Sequence, residues 1–96
     1  MRAIDRTCQL FVRSVAEALP ETRINIVRSR NSHGQSRYVY IHLAGRIRPV
    51  KVRISDHPVG MRRAMSGDCQ LFLSAGATPA SWAVWLAELA KGERRD

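Results

Sequence analysis

The chain has 96 residues, enough for one domain with a core that has little to spare. Sixteen basic side chains against eight acidic ones give a net charge of +8, and fourteen of the cations are arginine. That size excludes a deep cleft between domains, and the basic balance excludes an acidic mimic of DNA.

The first element predicted is a helix, because Ile4, Cys8, Phe11, Val15 and Leu19 recur at steps of four and three. Val12 and Ala18 widen its stripe, and Pro20 stops it. Three strands follow: Thr22–Arg28 with Ile24 and Ile26 inward, Arg37–Leu43 with Val39, Ile41 and Leu43 inward, and Arg48–Ile54 with Val50, Val52 and Ile54 inward. Alternation with period two marks a sheet with one face on a core and one in water. The connectors Ser29–Gln35 and Ala44–Arg46 are short and each holds a glycine, which favours antiparallel hairpins.

Gly60–Ser66 can hold a helical turn with Met61 and Met65 four apart, and Cys69–Ser74 reads as a fourth strand or a buried apolar segment. In the last helix Thr78 is placed to cap, Pro79 suits the first helical position, and Trp82, Trp85, Leu86 and Leu89 form the stripe up to Gly92. The expectation is one α+β domain over residues 1–96, α-β-β-β-(β)-α. Both helices are expected on one face of a small antiparallel sheet of three or four strands.

The charge is unevenly spread. Between Thr22 and Gly67 lie ten basic residues and a single acid, Asp56. Guanidinium groups make planar, bidentate contacts with phosphates and carboxylates. Cys8 and Cys69 sit among apolar residues and read as small buried hydrophobes rather than a disulfide framework or metal site. MRAIDRTCQLF carries charges within its first apolar run, unlike a signal peptide, and no stretch is long enough to span a bilayer. A soluble, cytoplasmic protein without a cofactor is expected.

In Ser55-Asp56-His57, consecutive residues at a strand end point in different directions, so adjacency alone does not build a triad. The expectation is a turn, with Asp56 accepting backbone amides or pairing with an arginine, and Pro58 ending the strand. Three histidines, His33, His42 and His57, lack metal-ligand spacing. His33 lies in RSRNSHGQSR, where Arg28, Arg30 and Arg37 flank small polar residues able to hold a phosphate. The strongest constellation is on the outward strand positions: Arg23, Asn25, Tyr38, Tyr40, His42, Lys51 and Arg53. Aromatics that stack on bases, interleaved with cations that neutralise phosphate, are the device of sheets that bind single-stranded nucleic acid. The tryptophans read as core.

SRYVYI followed by VKVRISDHP resembles a pattern in small phage and mobile-element proteins, over roughly Ser32–Pro58. In size and type the chain is similar to anti-CRISPR proteins. That resemblance implies a non-enzymatic inhibitor docking on nucleic acid or a nucleoprotein defence complex; a homodimer is compatible with it. The order helix, three strands, helix also resembles HicA-type toxins, RNA-cleaving proteins with a double-stranded-RNA-binding-like fold. Ser32-His33 before a strand matches their Ser-His element, which would make His33 catalytic; Gly34 and the long first helix depart from that pattern.

Overall fold

The computed structural model describes residues 2–57 and 68–93. The elements are α1 (Ala3–Ala18), β1 (Arg23–Asn31), β2 (Gly34–His42), β3 (Val50–Ser55), β4 (Leu71–Ser74), a 3-10 turn (Pro79–Ser81) and α2 (Ala83–Glu93). The strands form one sheet in the order β1-β2-β3-β4. The chain is thus an α+β domain of the expected order, with a fourth strand where the sequence left two readings open. The expected turn at Gly60–Ser66, with Met61 and Met65, and Pro58 itself lie outside the described residues.

One side of the sheet carries the core. Val39 and Ile41 of β2 and Val50, Val52 and Ile54 of β3 are buried against Ile4, Cys8, Phe11 and Val15 of α1 and against Trp82, Leu86 and Ala90. The Phe11 and Trp82 rings meet in a T-shaped arrangement, with centroids 5.4 Å apart at 86°, and the Trp85 ring centre lies 6.2 Å from that of Phe11. These rings join the two helices over the sheet. Thr7, buried on α1, accepts the backbone N–H of Gly76 at 2.8 Å and ties the helix to the turn after β4. No helix among the described residues is long and apolar enough to cross a membrane.

Three details differ from the sequence reading. First, β1 and β2 run on into the segment expected as a loop: they pair from Arg23↔His42 to Asn31↔Gly34, leaving a turn of Ser32 and His33 alone. The Asn31 side chain sets this turn, its Oδ1 accepting the His33 N–H at 2.8 Å. Second, β4 pairs parallel to β3, with Val52 opposite Leu71 and Ile54 opposite Leu73, so the sheet is mixed. A hairpin connector dictates antiparallel pairing, but the stretch from Asp56 to Gln70 is long enough for a crossover and lifts that constraint. Third, Thr78 caps without a side-chain hydrogen bond, and α2 runs past Gly92 to Glu93. Pro79 opens the 3-10 turn, and α2 begins only after Trp82.

Candidate nucleic-acid interface

The register decides which predicted residues meet. On the side away from the helices, Tyr38 lies opposite Val27 and Arg53, Tyr40 opposite Asn25 and Lys51, and His42 opposite Arg23. Asn25 Nδ2 lies 3.1 Å from His42 Nε2. The Lys51 ammonium sits 4.9 Å from the Tyr38 ring centre and 5.9 Å from that of Tyr40. Tyr38, Tyr40 and His42 remain half-exposed, and Arg23 is exposed. From Thr22 to Ser55 no acidic residue occurs. The one acid described on this surface is Asp68, which accepts a 3.0 Å hydrogen bond from Lys51. That bond holds the Asp68 carboxyl below its usual range and the Lys51 ammonium above its own. The contribution of Asp68 is present at neutral pH and lost as acid protonates it; that of Lys51 is lost only as pH rises beyond the usual lysine range. An exposed pair of this kind adds little stability, and it occupies the Lys51 ammonium.

Three of the expected contact residues lie elsewhere, and a fourth is enclosed on this side. Arg28 and Arg30 occupy the same parity as Ile24 and Ile26, so they project on the helix side of β1, exposed but across the sheet from the tyrosines. Arg37, with the parity of Val39 and Ile41, is 6% exposed. Its Nε and Nη2 both donate to Asp5 Oδ1 at 3.2 Å, pinning β2 to α1. Arg53 does project outward, yet it is fully buried. Its guanidinium lies 5.7 Å from the Tyr38 ring centre and 5.6 Å from that of Phe72, and it donates to Ser36 Oγ through Nε (3.1 Å) and Nη2 (3.0 Å). Arg37 and Arg53 therefore brace the fold, and of the expected contact residues only Arg23, Tyr38, Tyr40, His42 and Lys51 share this face without being fully buried.

Ser55-Asp56-His57 divides as a strand end should. Ser55 and His57, two apart, share the outward side and hydrogen-bond, Oγ to Nδ1, at 2.7 Å. His57 Nε2 lies 3.0 Å from Asn31 Oδ1. Asn31 Oδ1 already accepts the His33 amide, so Nε2–H is the donor and Nδ1 accepts the Ser55 hydroxyl. The result has the order of a serine, histidine and asparagine relay, but it lacks a usable nucleophile. Ser55 Oγ accepts the Ser36 hydroxyl (3.2 Å) and the His57 backbone N–H (3.0 Å), which occupies both lone pairs, and Ser55 is fully buried. This is a satisfied polar network closing the hairpin end.

Asp56 turns away from that network and accepts the Gln35 backbone N–H at 2.6 Å. The amide belongs to the neighbouring strand, which makes Asp56 a clamp between β2 and the end of β3 rather than an acceptor within its own turn. Gly34 makes room for the clamp: a Cβ there would lie 2.5 Å from Asp56 Oδ1 and 3.3 Å from the His57 backbone. Asp56→Ala should cost about 1–2 kcal/mol, Asp56→Asn less, both read by thermal melting with binding retained in proportion to folded protein. Wild-type melting with complete loss of binding would instead make Asp56 a contact residue.

The His33 ring is exposed at the hairpin tip and makes no hydrogen bond among the described residues. Burial pushes the Cys8 thiol above its ordinary range despite the nearby Arg37, and burial does the same for half-buried Cys69; neither is set up as a thiolate nucleophile.

Sequence reasoning missed Ser36, Asn31 and Phe72. Register was the signal needed, since pairing Ser36 with Ser55 and Arg53 with Phe72 is what gathers the polar network. No protein-family model, curated protein or solved structure matches the chain.

Proposed function

We propose that the protein is a non-enzymatic binding module that takes single-stranded nucleic acid, free or within a nucleoprotein complex, on the outward face of β1–β3. The observation that carries this reading is the pair of half-exposed tyrosines two apart on β2, with Arg23, His42 and Lys51 beside them in a segment without acids. Each ring offers a sequence-tolerant stacking platform, and the cations track the backbone. The most concrete form is an accessory protein of a phage or mobile element that inhibits a host complex acting on nucleic acid.

Tyr38→Ala and Tyr40→Ala should each weaken binding of a fluorescent single-stranded oligonucleotide by about 1–3 kcal/mol, roughly five- to 150-fold. Asp68→Asn should strengthen it by releasing Lys51. Engagement of about three phosphates should make affinity fall about twentyfold between roughly 50 and 200 mM salt. Absence of binding at low salt, or tyrosine variants that bind like wild type, would sink the reading. RNA cleavage that disappears in His33→Ala would replace it with a nuclease.

A further inference from the structure

The far edge of the sheet has a surface of its own. β1 is a nine-residue edge strand, exposed at every position but Ile24, without a proline. Ile26 is 46% and Val27 50% exposed. Gln35 turns its carbonyl toward Asp56, on the β3 side. Alternation then turns Ser36, Tyr38 and Tyr40 toward β1, leaving the backbone N–H and C=O groups of Ile24, Ile26, Arg28 and Arg30 facing outward. A row of unpaired backbone groups of this length is a template for another strand.

Charge decides which strand. Arg28 and Arg30 project beside Ile26 on the helix side, and neither guanidinium has a hydrogen-bond partner among the described residues. A second copy of β1, paired antiparallel about Val27, would gather four of these arginines along one strip; β1 itself carries no acid to offset them, and Asp5 of α1, on the same side, is already held by Arg37. The same arginines that repel a like strand attract an acidic one, and each can hold a carboxylate bidentately. We propose that the free edge of β1 docks an extended acidic polypeptide segment by strand addition. Backbone hydrogen bonds at Ile24, Ile26, Arg28 and Arg30 supply the pairing, and carboxylates opposite Arg28 and Arg30 supply the selection. This site lies at the edge of the sheet, apart from the tyrosine face, and goes beyond the nucleic-acid reading.

The test uses the full chain and three synthetic peptides: glutamate alternating with valine, lysine in place of the glutamates, and the glutamate peptide N-methylated on its pairing amides. The glutamate peptide should bind about tenfold or more tighter than the other two. Hydrogen exchange should slow at Ile24, Ile26, Arg28 and Arg30. Arg28→Glu with Arg30→Glu should reverse the preference toward lysine, whereas Tyr38→Ala with Tyr40→Ala should leave peptide binding intact. That last result keeps failure here separate from failure of the nucleic-acid reading. Equal binding of the three peptides, no binding, or slowed exchange elsewhere would overturn the proposal. So would a concentration-dependent dimer that slows the same four amides without peptide, because it would assign the edge to a second copy.

Discussion

Phe11→Ala should lower the unfolding free energy by about 3–5 kcal/mol, a large share of the 5–15 kcal/mol available to a domain of this kind. Phe11 is fully buried on α1 and touches both tryptophans, one of them edge to face. Truncation removes the ring that holds the two helices together above the sheet and leaves a cavity that neighbouring β-branched side chains are too stiff to fill. Phe11→Leu keeps most of the volume and should cost less than half as much. Chemical denaturation with an unchanged slope reads both variants. A loss under about 1 kcal/mol for alanine would mean that α1 and α2 do not share one core.

Arg53→Ala should be the most damaging polar substitution, costing about 2–4 kcal/mol. It removes the donors to Ser36 and the cation held between Tyr38 and Phe72, in a place too buried for water to replace them freely. Arg53→Lys keeps the charge but has no planar fork, so it should recover only part of the loss. Under the proposed function, folded Arg53→Ala protein should keep the wild-type salt dependence of nucleic-acid binding, because the Arg53 guanidinium is enclosed beside Tyr38 and Phe72. A variant that melts like wild type but shows a shallower salt slope would return Arg53 to the contact surface.

The two halves of this account were unequally legible in the sequence. Periodicity places the helix stripe from Ile4 to Leu19 and the inward residues of β2 and β3, because burial on one face imposes spacing directly on the chain; on β1 it fails, since Ile24 is only half-buried and Ile26 is exposed at the sheet edge. The same parity rule, extended one step back from Val39, puts Arg37 inward, but its charge makes it read as a contact residue. Arg53 was harder. Its parity is outward, and only the register with Tyr38 and Phe72 shows that it is enclosed. Ser29–Gln35 read as a loop because its polar residues mask the strands: an edge strand exposed on both sides has no apolar face to mark it. The parallel pairing of β4 is a long-range choice that local pattern does not encode. Ser55-Asp56-His57 was legible as a strand end. The hydrogen-bonded order Ser55, His57, Asn31 was not, since Asn31 arrives from the far side of a hairpin turn.

The most direct measurement is an NMR titration of the isotope-labelled protein with a short single-stranded oligonucleotide at low salt. The account predicts shifts in the rings of Tyr38, Tyr40 and His42 and the side chains of Arg23 and Lys51. The helix-side groups of Arg28, Arg30 and Arg37 should stay in place. Shifts concentrated on Arg28 and Arg30, with the tyrosine rings unmoved at saturation, would contradict it.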